Sequence, residues 1–259
     1  MRWQVLITVL VVGLWPLGLN EAQSDQFLLL PEMVTAPQVA IVEPVKAPVA
    51  VTATGTEALA VATTTSSLIM NVPFMSQAPL GRWEDERQQD GCEEAGALMA
   101  MAWARGDLDL SPPAAEKALL ALADWQQEKY GENLDVNIQD VADRIFVDYF
   151  KYDQTSVITV TAKKDLLDVL LAGNIILAPT NGQTLLNPHF TSPGPERHLL
   201  VITGYDEVKD EFITNDPGTR HGHNFNYPAD RLLQAIRVYP TGYHLPIEPG
   251  PKQVLVVEK

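Results

Sequence analysis

A single cysteine, Cys92, stands in the run Asp90-Gly91-Cys92-Glu93-Glu94, just before an alanine-rich stretch at 95–105 that Gly106 ends. The pattern reads as a helix start, with Asp90 as the cap and Glu93 three residues on. A thiol in a first turn meets free N–H groups and the positive end of the helix dipole, which favour a thiolate and so a nucleophile. Against this, a lone cysteine is commonly an inert core residue, and Glu93 and Glu94 oppose a thiolate unless they project elsewhere. A thiol nucleophile also needs a base and a group that orients the base. His198 opens the apolar run Leu199-Leu200-Val201-Ile202, and Asn215-Asp216-Pro217 ends the next strand candidate. Singly, an edge histidine and a turn aspartate mean little. A helix-start Cys, a strand-start His and a strand-end Asp, in that order, are far more specific.

The elements that must position these residues follow from pattern. Ser111-Pro112 starts a second helix towards Tyr130, with the hydroxyl as cap and proline in the first turn. A third helix covers 138–147. Residues 155–161 form a strand, 162–172 a helix closed by Gly173, and 174–180 another strand. Residues 198–205 and 211–215 make a hairpin around the polar turn at 206–210, and 228–236 a last short helix. Helices first and strands later, without regular alternation, predict an α+β domain over residues 68–247, with 248–259 as a C-terminal tail.

Ahead of it, Met1-Arg2-Trp3 and an apolar run to Leu19 read as a signal anchor or a cleaved secretory signal, over residues 1–19. Residues 20–67, rich in Ala, Val, Thr and Pro, read as a linker. The expected location is therefore extracytoplasmic, anchored by the N-terminus or secreted. The net charge of -15 comes with no Lys/Arg cluster, which argues against nucleic acid and against a polybasic contact with lipid. Residues 1–67 hold two Lys/Arg and five Asp/Glu, so the acidity belongs to the folded part. One cysteine excludes an intrachain disulfide and a cysteine-based zinc site. His221 and His223, with His189, lack a helical His-Glu-x-x-His pattern, and a polar loop is the simpler reading than a metal site. No cofactor fingerprint occurs either.

The run Val72-Pro73-Phe74-Met75-Ser76-Gln77, then Trp83, then Arg87 through Ala95 around Gly91-Cys92-Glu93, resembles the first block of the stand-alone relatives of the bacteriocin-leader peptidases. These form cysteine peptidase family thirty-nine, in the papain-like superfamily. A second block, His198 with its apolar strand, Gly204-Tyr205 and Asn215-Asp216-Pro217-Gly218, is similar too, so the resemblance spans about 68–239. It implies a papain-like fold, a helical half and an antiparallel sheet with the cleft between. It implies Cys92 as nucleophile, His198 as base, Asp216 as orienter, and Gln77 in the oxyanion hole with the Cys92 N–H. Leader peptidases carry Asp-Cys-Gly and a fused ATP-driven transporter; here the motif is Gly-Cys-Glu-Glu and no phosphate-binding loop occurs. The implied apparatus transfers, and the substrate does not.

The expected activity is hydrolysis of a peptide or related amide bond through a thioester. Acyl transfer with the same residues, or an inactive peptide-binding module, are the alternatives. Asn215 competes with Asp216 for the orienting role. An odd-length turn of five residues, 205–209, would put Asp216 on the face of His198; a two- or four-residue turn would put Asn215 there, unless a bulge intervened.

Overall fold

Ile175–Thr180 and His198–Asp206 are nearly unbroken apolar runs, as expected of strands covered on both faces. The computed structural model, which describes residues 67–259, shows that cover. The segment read as signal or anchor lies outside the described residues, as does nearly all of the linker. Among the described residues, no helix is long and apolar enough to cross a membrane.

The first half is helical. After β1 (Ser67–Ile69) come α1 (Glu86–Gln89), α2 (Cys92–Arg105), α3 (Pro112–Tyr130) and α4 (Ile138–Asp140), which runs into a π-helix at Val141–Tyr149. The second half holds β2 (Thr155–Thr159), α5 (Lys163–Leu171), β3 (Ile175–Thr180), α6 (Gly182–Leu185), β4 (His198–Asp206), β5 (Glu211–Asn215), β6 (Phe225–Pro228), α7 (Ala229–Ala235) and β7 (Gln253–Val257). The strands form one sheet in the order β2-β7-β3-β4-β5-β6, with β1 paired to the far end of β4, and every pairing is antiparallel. The fold is α+β and papain-like.

Alternation along the strands divides the core in two. Leu177, Leu199, Val201 and Leu255 face α2, α3 and the π-helix, while Ile176, Leu200, Ile202 and Val254 face α5 and α7. Each such side chain, fully buried, stabilises the fold by about 1.5–3 kcal/mol before entropy is counted. From Cys92 to Trp103 every residue of α2 is buried, and small residues let the helix settle closely on the sheet. A Cβ on Gly96 would stand 2.5 Å from a Leu199 methyl, so glycine sets how near the start of α2 comes to the start of β4.

Several expectations are corrected. Residues 248–259 are not a tail, since β7 lies between β2 and β3 and buries Val254, Leu255 and Val257 completely. Asp90 does not cap α2; it ends the short helix α1, and α2 starts from Gly91 without a side-chain cap. Ser111 stands at the N-cap of α3, but its hydroxyl donates to Asp109 at 2.9 Å instead of capping. The third helix is mostly π-helical. The β4–β5 turn has four residues, 207–210, between the paired Asp206 and Glu211. A register shift at Thr203 then changes the parity, so that Val201 pairs with Asn215 and the even-numbered residues, His198 and Asp216 among them, share a face. The bulged Thr203 is anchored on both sides, its hydroxyl donating to Ile213 O and its carbonyl accepting from Met70 N–H.

Candidate active site

The N-terminus of α2 and the start of β4 bring Cys92 and His198 to one cleft of about 900 Å³, which Gln77, Trp83, Phe190 and Arg197 also line. The backbone N–H of Leu199 donates to Cys92 Sγ at 3.3 Å, so the sulfur touches the residue next to the histidine. Sulfur and imidazole are not hydrogen-bonded to each other in this state. Burial pushes the Cys92 thiol well up and the Glu93 charge adds to this; the Leu199 N–H offsets it only in part. The first-turn position therefore does not yield the lowered thiol pKa that the sequence suggests. Glu93 does not project away from the sulfur but turns back to it, with Oε2 at 3.2 Å.

His198 Nε2 and Asp216 Oδ1 are 2.8 Å apart, both residues buried. Burial works against the Asp216 charge, yet His198, the Tyr227 hydroxyl and the Gly218 N–H outweigh it and hold the carboxyl below its usual range. An ionised carboxylate only accepts, so Nε2 carries the proton and a neutral ring keeps its lone pair on Nδ1. The second carboxylate oxygen accepts from Tyr227 at 2.5 Å and from Asn187 Nδ2 at 3.2 Å. The Phe190 ring stands edge-on to the imidazole at 5.3 Å. Asn215 is turned elsewhere: its amide donates to Val72 O at 3.0 Å and Pro73 O at 3.3 Å, and its oxygen accepts from Asn224 N–H. It ties down the segment that leads to Gln77.

Gln77 lies in the cleft wall, but its Nε2 donates to the carbonyls of Gln88 at 3.0 Å and Gln89 at 2.6 Å, so both amide hydrogens are committed. His221 and His223 diverge, the first stacked on His189 at 4.5 Å and the second on Phe74 at 5.6 Å. Sequence reasoning missed Tyr227, Asn187 and Phe190 altogether. Tyr227 sits on β6, whose four residues, closed by Pro228, are too short a run to show alternation, and Asn187 and Phe190 lie in irregular chain.

Gly218 gives a direct handle on the imidazole. A Cβ there would stand 2.9 Å from His198 Cε1 and 3.0 Å from the Phe190 ring. Gly218→Ala is therefore expected to displace the ring by a few tenths of an ångström or more. We expect activity to fall on the order of 10²-fold, with about 1–3 kcal/mol of stability lost to overpacking. Equal catalytic rates in parent and variant, measured beside thermal unfolding, would show that the ring tolerates the push.

Two protein comparisons are weak. A stretch of 73 residues is 33% identical to isoleucine–tRNA ligase 2 of Bacillus cereus, covering 28% of this chain and 7% of that protein's length. The crystal structure of a protein from Bacillus anthracis assigned as C39-like overlaps 75% of this chain and 98% of that one, with 16% identity and a TM-score of 0.47. Neither carries an argument. The sequence model of the Peptidase C39-like family does: it matches residues 69–241, well over half of the chain and all of the cleft residues from Gln77 to Gly218, and the chain belongs to that family.

Proposed function

We propose that the protein hydrolyses a peptide or related amide bond through a thioester on Cys92, with His198 as base and Asp216 as the residue that orients it. The observation that carries the reading is the buried 2.8 Å contact of His198 with Asp216, beside a cysteine sulfur bonded to the very next residue of the strand. Family membership supports a peptide or protein as substrate. The thiol proton passes to His198 Nδ1 as Sγ bonds to the substrate carbonyl carbon. The resulting oxyanion is met by the N–H of Cys92, a first-turn group without a helical partner. Gln77 becomes a second donor once its amide leaves the Gln88 and Gln89 carbonyls. The imidazolium then protonates the leaving amine, whose C–N bond breaks to give the thioester. Water, deprotonated by the same ring, attacks the thioester, releasing the acid and restoring the thiol. Asp216 keeps its negative charge throughout and stabilises the imidazolium.

A peptide bearing an electrophilic group tests this directly. Incubated with the native chain and mapped by mass spectrometry, it is expected to give one adduct, at Cys92. Labelling elsewhere, or at Cys92 only after denaturation, would overturn the reading.

A further inference from the structure

The thioester reading leaves one buried carboxyl on the nucleophile without a task. Glu93 Oε2 lies 3.2 Å from Cys92 Sγ, while Tyr239 donates to Oε1 at 2.7 Å. Tyr239 is itself fixed, because its backbone carbonyl accepts from Asn137 Nδ2 at 2.7 Å. Glu93 is 1% exposed. The titratable groups around it are Cys92 and Glu94 on α2, Tyr239 beyond α7 and Asp135 in the loop before α4; Asp90 at the end of α1 lies by Glu94, His244 bonds Asp135 through its backbone N–H, and His198 lines the same cleft as the sulfur. No lysine or arginine is among them, and Arg197, one of the two arginines that line the cleft, is engaged by Asp135 at 3.5 Å and by the Leu245 carbonyl. Glu94 is buried as well and accepts from Gln126 at 2.5 Å.

A thiolate and a carboxylate at this separation repel strongly in a dry site. With a carboxylate beside it, sulfur keeps its proton and donates it to the oxygen. With a carboxylic acid beside it, sulfur can release its proton to another base and accept the acid's O–H. We propose that Glu93 is a proton-operated brake on Cys92: as a carboxylate it holds the sulfur as a thiol, and as an acid it frees the thiol proton to move to His198. The inference rests on the thioester reading. Its balance is simple, since Glu93 takes one proton from solvent and a second passes from Sγ to His198 Nδ1.

Burial pushes the Glu93 carboxyl up to about 7, although the bonds from Tyr239 and Cys92 pull it down. The brake is thus off in mild acid and sets in as pH rises through neutrality. The nucleophile is therefore more active in mild acid, the reverse of an ordinary thiol, whose reactivity climbs towards a pKa of ~8.5.

The test is the iodoacetamide alkylation rate of Cys92 in the full chain from pH 5.5 to 8.5. Parent protein is expected to react no faster at pH 8 than at pH 6. Glu93→Gln, which still accepts from Tyr239, should raise the pH 8 rate by about tenfold or more and leave the pH 6 rate within about twofold. Tyr239→Phe removes a donor that favours the carboxylate, so the loss of reactivity should move to higher pH; this second variant decides the matter if Glu93→Gln does not fold. An unchanged pH 8 rate in Glu93→Gln, or an unmoved profile in Tyr239→Phe, overturns the brake alone. Native Cys92 that never reacts in any variant overturns the thioester reading with it.

Discussion

Cys92→Ala is expected to lower peptide cleavage by a factor on the order of 10⁴ or more while substrate binding persists. The change removes the atom that bonds to the substrate, and neither Glu93 nor His198 can replace it as a nucleophile. Its structural cost is modest: a buried residue loses one sulfur and the Leu199 N–H loses its acceptor, about 1–3 kcal/mol together. His198→Gln should be nearly as damaging. Glutamine is the better probe than alanine, because its amide can still donate to Asp216. Alanine would leave that buried carboxylate without its main partner, at a cost of about 3–5 kcal/mol. The measurements are kcat and KM on a peptide substrate, with thermal unfolding beside them. More than about a hundredth of the parent kcat remaining in Cys92→Ala would mean that the bond is broken elsewhere.

The second large effect separates two neighbouring residues. Asp216→Asn is expected to reduce kcat by roughly 10²- to 10⁴-fold with KM little changed, because an amide whose oxygen stays with Tyr227 and Asn187 turns its NH2 to His198 Nε2, which selects the wrong tautomer and gives an imidazolium no counter-charge. Its packing survives, since Tyr227 and Asn187 can still donate to the side-chain oxygen. Asn215→Ala should behave in the opposite way. It removes three hydrogen bonds, the one to Val72 O buried and those to Pro73 O and from Asn224 N–H partly so, and should cost about 1–3 kcal/mol of stability and touch kcat far less. If Asn215→Ala abolishes turnover in a protein that remains folded, the orienting role belongs to the amide.

Elements set by near neighbours were legible in the sequence, and Cys92, His198 and Asp216 were nominated by their order and the family resemblance, but supporting residues such as Tyr227 and Asn187, which depend on distant partners, were not. The body of α2 followed from its alanine run and its end from Gly106, although its cap was misassigned to Asp90, and β4 followed from its apolar residues. The face shared by His198 and Asp216 followed only through parity. The turn length was misjudged by one residue, and a bulge at Thr203 compensated, which no local pattern announces. Glu93 shows a finer limit. Helical geometry aims its Cβ away from Cys92, but a flexible side chain can fold back where Tyr239, far along the chain, holds its other oxygen. β7 was missed because Gln253–Val257 follows a stretch rich in proline and glycine and pairs with strands far upstream.

The position of β7 also dictates when the sheet can be completed during synthesis. Thr155 pairs with Val257 and Ile175 also with Val257, separations of roughly 80–100 residues, and each closure carries a loop-entropy cost before any contact rewards it. While the ribosome is still making residues 253–257, β3 has β4 on one side and nothing on the other, and β2 has no neighbour in the sheet. Until residues 253–257 emerge, β2 is therefore unpaired and the apolar strand β3 keeps one edge open. Pairing that waits on partners so distant in sequence is slow, and the unpaired strands are open to chaperones in that interval.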